Sequence, residues 1–594
     1  FKSKNNIKYD ILVTNQLTVG QNEYVAKIEL EKSKDEVVIK FVDNQLVNDN
    51  YPNLKYKIKS SDVTFKTDEV FFGSEKGHGL LVMEYQQKDE ISIDILGTLD
   101  EFTKKDINWQ EEVIKYEKFY QNLINFKILS DDDISAKFNK TLYWYTHSAL
   151  IHYSSPHGLE QTGGAAWGTR DILQGPLELF TSLGRYDIAR SILLKVYSRQ
   201  FIETYDWPQW FMYDKYSYIQ AHDSHGDIIV WPIKALADYL KITNDLSILD
   251  EKLTYFSIKK NQFVEGESLL NHVKNQINAI INSSVEGTSL AAYGGGDWND
   301  TLQPKNQMLT KKMVSSWTVS LIYEGMSLLS TFIKEKDKDL CKKINHYLEN
   351  LKEDYYKYIV IDGKPAGFVV FDDSGPRPLL HPNDKQSGIS YRLLSYQRPI
   401  IAGLLTLDEA TSNHKLINKH LKFPDGLRLM NEPVKYQGGI KTYFQRAETA
   451  SNFGREVGIL YVHAHIRHLE MLAKLGYKDQ LLEEFLQINP IGIRDVVKNA
   501  NIRQSNLYFS SSDANFYDRY EAQENFELLR KGKVKVKSGW RLYSSGPGIY
   551  INQLITNYFG IKVINKNLYL DPVHNLDNVT VEFKFDNKLI NVTY

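Results

Sequence analysis

Gly294, Gly295 and Gly296 run directly into Asp297, Trp298, Asn299 and Asp300. Consecutive glycines allow backbone conformations that other residues avoid, so the stretch reads as a loop shaped to present the four residues after them. It holds out a flat ring, Trp298, between two carboxylates, Asp297 and Asp300, and a carboxylic acid can hand a proton to a leaving group. A calcium loop would alternate its acids and close on a glutamate; this stretch does neither. A plain turn rarely needs a tryptophan between two acids. A functional loop that presents two carboxylates, Asp297 and Asp300, beside a stacking face is what these residues favour.

Three other loop segments gather polar side chains beyond what packing needs. In "TGGAAWGTRDILQGP", Arg170 and Asp171 are adjacent. Such a pair can share a sugar, the guanidinium donating and the carboxylate accepting, and a helix-terminal salt bridge explains it equally well. In "NFGREVGILYVHAHIRH", His463 and His465 are two apart and share no helix face. The zinc-protease pattern is absent, so the expectation is one histidine binding an anion and the other packed or capping. In "SGWRLYSSGPGIY", Ser545 and Gly546 offer a hydroxyl and backbone N–H groups, as an anion nest does. No Gly-Lys-Ser/Thr motif comes after it, so it is not a P-loop; a simple turn is the commoner use.

These loops need elements to position them. Residues 1–104 read as short β-branched strands separated by polar turns, a β-sandwich. Residues 105–129, with "DINWQEEVIKYEKFYQNLINF", carry apolar residues three and four apart and read as a linker helix. From 130 to 560 the periodicity is helical, without sustained strand alternation, and long loops rich in Trp, Asp, His and Arg intervene; an (α/α)6 barrel fits this better than a simple bundle. Residues 561–594 return to strand alternation, a small C-terminal β-domain. The fold class expected is multidomain α + β.

Composition narrows the function. The chain has 594 residues, too many for one core, with 42% hydrophobic and 25% charged residues. A net charge of −2 gives no positive excess for a general nucleic-acid or anionic-membrane binder. No apolar run is long enough to span a bilayer. A single cysteine, Cys341, makes no internal disulfide and sits in an amphipathic run. The chain opens on Phe1 without a signal segment, which reads as a truncated or processed cytoplasmic protein.

Taken in order, "GTRDILQ", "HGDIIVWPIKALADYLKITNDLSILDE", "GGDWND", "PDGLRLMNEP", "REVGILYVHA" and "SSGPGIY" resemble the inverting glycoside phosphorylases of the cellobiose phosphorylase family, glycoside hydrolase family 94. Relatives include the cellodextrin, laminaribiose and chitobiose phosphorylases. The resemblance implies an N-terminal β-sandwich, a linker helix, an (α/α)6 barrel and a C-terminal β-domain. It implies Asp300 as general acid, Trp298 against the bound sugar, and Arg170 and Asp171 on the transferred glucosyl unit. Asp297, Glu456 and Tyr461 line the same substrate pocket, and His463, Ser545 and Gly546 bind phosphate. No metal or organic cofactor is implied, only inorganic phosphate as co-substrate, and family members are commonly homodimers. "TLQP" replaces the usual Gly-Met after the acid loop, "REVG" lacks the common Asn-Gly-Gly, and "SSGPG" replaces a Thr-Gly. These departures fit a divergent branch such as the β-1,3-oligoglucan phosphorylases.

An inverting phosphorylase needs one carboxylic acid, because phosphate is already a nucleophile. The expectation is a raised pKa for Asp300, from a partly desolvated site with Asp297 close by. Cellobiose, cellodextrins or β-1,3-oligoglucans would then yield α-glucose 1-phosphate. An inverting hydrolase with Glu456 as base is the alternative; a non-catalytic carbohydrate-binding protein is the other.

Overall fold

The computed structural model describes residues 1–17, 28–42, 48–49, 51–75, 79–102, 107–154, 167–213, 216–454, 458, 460–539 and 545–594. Contacts divide the chain into two compact units. The first, mainly Phe1–Glu117, holds two antiparallel sheets. One has the strand order Tyr9–Gln16, Leu80–Lys88, Thr64–Lys66; the other runs Ile28–Lys32, Glu36–Phe41, Lys55–Lys59, Asp94–Thr98. Alternation decides which side chains turn inward. Val37, Ile39 and Phe41 alternate with more exposed neighbours and share one core with Ile58 of the same sheet and Leu81, Met83 and Tyr85 of the other. The buried Tyr85 hydroxyl donates to Ser60 Oγ (2.8 Å), and Ser60 Oγ donates to the Ser92 carbonyl (2.6 Å).

The second unit contains most residues after 117. Helices Gly175–Ser182, Trp231–Thr243, Ser316–Ile333, Leu393–Ala402, Val462–Leu475 and Gly546–Gln553 are buried around most of their circumference. Each packs on the next in that order, and the last packs back on the first. Other helices bury only one stripe against them. In Lys338–Asp354 the buried residues Leu340, Cys341, Ile344, Tyr347, Leu348 and Leu351 recur at helical spacing, so Cys341 is a packing residue. Asp337 caps this helix by accepting from the Asp339 and Leu340 N–H groups.

Strands also occur where the sequence suggests only helices and loops. Lys252–Ser257 pairs with Gln262–Ser268, and Phe368–Asp372 with Gly375–Leu379. Pro376 and Pro378 supply no ladder donor, which suits the sheet edge that Gly375–Leu379 occupies. The region read as a linker forms the helix Trp109–Ile124 and then a strand, Phe126–Ile128, which pairs with Thr580–Phe585. The hairpin Ile561–Ile564 to Asn567–Leu570 turns through Asn565 and Lys566, at φ 50° and 64°, the left-handed pair a tight two-residue turn requires. Among the described residues, no helix is long and apolar enough to cross a membrane.

Candidate active site

The glycines before the acid loop are explained by backbone crowding. The Gly226 N–H donates to the Gly296 carbonyl (2.9 Å), and a Cβ on Gly226 would collide with the Tyr293 carbonyl. Gly294 sits at φ +63°, a left-handed conformation costly for other residues, with its N–H on the Thr310 carbonyl (3.0 Å). Two backbone segments, 224–226 and 293–296, therefore run against each other. That contact carries His225 to the acid loop.

The two acids of the loop have different surroundings. Asp297 is fully buried and receives Arg392 Nη2 on both oxygens (3.0 and 2.7 Å), Ser315 Oγ (2.7 Å) and the Asn299 N–H (2.9 Å). Its carboxylate is occupied by the protein. The Asp300 side chain is 34% exposed; its Oδ1 accepts from Arg170 Nη2 (2.8 Å), with His225 Nδ1 at 3.4 Å. Arg170 Nη1 also reaches the Asp297 carbonyl (3.1 Å) and the buried Asp227 carboxylate (3.5 Å), which accepts from Trp231 Nε1 (3.0 Å). Asp171 is buried against the backbone of Gly168.

Burial pushes the Asp300 carboxyl up, but the Arg170 charge, aided by His225, the Arg170 hydrogen bond and Arg446, leaves it below the usual range. The raised pKa expected from the sequence is not found in the ligand-free protein. The reason is that Arg170 sits on the acid, while Asp297 is neutralised by Arg392.

Trp298 joins this acid to the rest of the site. Its ring packs edge-on against Tyr461 (centroids 5.1 Å) and tilted against His463 (4.8 Å). Tyr461 ends a short strand, Leu460–Tyr461, and His463 lies in the first turn of the next helix. Ser545 immediately precedes the helix Gly546–Gln553, and its Oγ lies 3.1 Å from His463 Nδ1. His463 Nε2 lies 2.9 Å from Gln174 Oε1, which also receives Arg467 Nη2 (3.1 Å). Arg467 is held in turn by Glu178 (2.5 Å). Burial, then the charges of Arg467, Arg398 and Arg170, keep the His463 imidazole well below its usual pKa. Gly546 has no room for a Cβ against the Tyr508 ring. Glu456 lies outside the described residues. His465 is a buried packing residue, its Nδ1 accepting from the Leu427 N–H (3.2 Å).

Every helix of the inner cycle begins at this site. Gln174, Ser315, Arg392, Tyr461 and Ser545 immediately precede five of them, and Asp227 stands one short turn before the sixth. Helix N-termini carry partial positive charge and exposed N–H groups, which favours anions. The C-terminal ends of Gly175–Ser182, Trp231–Thr243 and Gly546–Gln553 instead line a cavity of about 1040 Å³ that meets the site's network at Glu178 and Arg467. Among the described residues, no group of side chains is arranged to hold a metal ion.

Sequence alone did not single out His225, Asp227, Gln174 or Arg392. The first two lie in "HGDIIVWP" and the third in "GTRDILQ", segments that carried the family resemblance, but nothing around Arg392 marks it in the sequence. Asp206 adds a measurable feature nearby. Its Oδ1 accepts from the Trp207 N–H (2.7 Å) and Ser224 Oγ (3.3 Å), yet burial, the largest cause, raises its pKa to about 7. An unfolded Asp titrates near about 3.9, so the folded chain holds the extra proton between roughly pH 4 and 7, and stability falls as pH rises through that window. Asp206→Asn keeps the acceptor and is expected to melt above wild type at about pH 8 but not at about pH 4. Identical melting at both pH values would contradict the raised pKa.

Residues 120–516 match the glycosyl hydrolase 94 superfamily, catalytic domain, and residues 1–97 match the glycoside phosphorylase supersandwich domain. The chain belongs to the glycosyl hydrolase 94 superfamily. One relative is a 1,2-beta-oligoglucan phosphorylase of Listeria innocua serovar 6a, 42% identical over 603 residues, covering 99% of this chain and 54% of the relative. The chain thus spans about half the length of that curated relative. Among solved structures, a bacterial glucoamylase complexed with acarbose aligns at TM-score 0.56 and 12% identity, over 92% of this chain and 77% of its own. A family 78 rhamnosidase of Bacillus sp. GL1 aligns at TM-score 0.53 and 10% identity, over 85% and 42%. These two likenesses concern the fold, which is mixed helix and sheet.

Proposed function

We propose that the chain catalyses inverting phosphorolysis of β-linked oligoglucans, releasing α-glucose 1-phosphate and a shortened glucan. The observation that carries this reading is the placement of Trp298, whose ring lies beside His463 while its loop supplies Asp300. The loop that carries Asp300 therefore also sets its Trp298 ring beside a buried His–Ser pair at a helix N-terminus. Asp300 protonates the glycosidic oxygen, and phosphate attacks the anomeric carbon from the opposite face. The carbon–oxygen bond breaks with its electron pair on the leaving oxygen. Because Arg170 and His225 hold the Asp300 pKa below the usual range, Asp300 takes up its proton from solvent as the glucan covers its exposed side, and the phosphate proton is left to solvent after the new carbon–oxygen bond forms.

In this reading Arg170, Asp171, Trp298, Tyr461 and Glu456 bind substrate, and His463, Ser545 and Gly546 bind phosphate. Asp297 acts as the anchor of the loop, since Arg392 and Ser315 occupy its carboxylate. The name of the Listeria relative directs the linkage to β-1,2, where the sequence pointed to cellobiose, cellodextrins or β-1,3-oligoglucans. The closed cycle of buried helices supports the (α/α)6 barrel, proposed over 130–560 between a sandwich (1–104), a linker (105–129) and a C-terminal β-domain (561–594). A cytoplasmic homodimer without metal or organic cofactor completes the proposal.

The test is glucose 1-phosphate release from β-1,2-, β-1,3- and β-1,4-linked oligoglucans, with and without phosphate. Phosphate-dependent release from the β-1,2 series alone is the expected outcome. Free glucose appearing equally without phosphate would replace this reading with the hydrolase.

A further inference from the structure

The hydrogen bonds around His463 determine which atom of the site carries a proton. Gln174 Nε2 lies 3.1 Å from the Arg170 carbonyl, which can only accept, and Gln174 Oε1 lies 3.1 Å from Arg467 Nη2, which can only donate. The amide therefore cannot be reversed. His463 Nε2, 2.9 Å from that oxygen, must be the protonated nitrogen. Burial and the Arg467, Arg398 and Arg170 charges keep the ring neutral, so Nδ1 is bare. Ser545 Oγ, 3.1 Å away, donates its single proton to it. What remains on Ser545 Oγ is acceptor capacity. Turning the hydroxyl proton toward a ligand would leave Nδ1 a buried acceptor without a donor, which is costly.

We infer that His463 and Ser545 form a proton-accepting end of the anion site, so that it takes a phosphate bearing a proton and discriminates against sulfate. The inference rests on the phosphorylase reading and deepens it. A hydrogen phosphate donates P–O–H to Ser545 Oγ, whereas sulfate at neutral pH has no proton and sets its oxygen against a lone pair. Gln174, fixed by Arg467 and Glu178, is the positioning residue that keeps the imidazole in this tautomer.

Calorimetric titration of the whole chain with phosphate and with sulfate measures the preference without catalysis. Wild type is expected to bind phosphate roughly tenfold or more tightly than sulfate, the equivalent of one unmatched buried hydrogen bond. In Gln174→Leu the proton is free to move to Nδ1, Ser545 then donates outward, and the preference is expected to fall to about threefold or less. Nitrogen-15 spectra of labelled histidine, with His463 assigned by difference against His463→Asn, report the tautomer independently. Wild type with the proton on Nδ1 would overturn the inference even if Gln174→Leu fails to fold. Equal affinity for sulfate and phosphate in wild type would do the same. A strong preference for phosphate without phosphate-dependent cleavage would retire the phosphorylase reading and leave this inference standing.

Discussion

Asp300→Asn is expected to lower kcat for phosphorolysis of an oligoglucan about a thousandfold, within the range measured for loss of a general acid. That corresponds to about 4 kcal/mol of transition-state stabilisation. Asparagine keeps an oxygen for Arg170 Nη2, which lies 2.8 Å from Asp300 Oδ1, so the loop is expected to hold its place and KM to change little. The assignment of the role lies in the leaving group. An aryl glucoside whose phenol departs as a stable anion needs no proton, so the variant is expected to recover most of its rate on such a substrate. A loss of equal size on the aryl glucoside and the oligoglucan would show Asp300 to be a binding residue instead.

Asp297→Ala is expected to act on stability. Asp297 and Arg392 are both fully buried, and the guanidinium also packs over the Phe368 ring at 4.5 Å. Removing the carboxylate leaves an uncompensated buried cation, a change that costs about 3–5 kcal/mol in comparable pairs. Thermal unfolding measured by circular dichroism is the test. Replacing both partners, Asp297→Leu with Arg392→Met, removes the stranded charge and is expected to regain much of that loss. It is not expected to regain activity, because Asp297 also ties the loop to Ser315 and to the Asn299 N–H. A double variant with full phosphorolysis would show that the anchor is unnecessary; a single variant as stable as wild type would show that Arg392 finds another partner.

Local sequence was enough to mark the loop as one that presents its side chains. Three glycines before two acids and a tryptophan signal a presented loop, because backbone freedom and side-chain chemistry are properties of neighbours along the chain. Strand alternation over Glu36–Phe41 and helical spacing over Lys338–Asp354 were legible for the same local reason. The hairpins within the helical part were not, since a short edge strand such as Gly375–Leu379 depends on the partner it finds. The different surroundings of the two acids came from the folded chain. Arg392 is 95 residues from Asp297 and Arg170 is 130 from Asp300, so no local pattern could separate the anchored carboxylate from the exposed one. Gln174 is 289 residues from His463, and Ser545 is 82, yet those two contacts set the tautomer. Charge and hydrogen bonding depend on distance through space, and folding alone brings Arg170 to Asp300 and lowers a pKa that the sequence pattern suggested would rise.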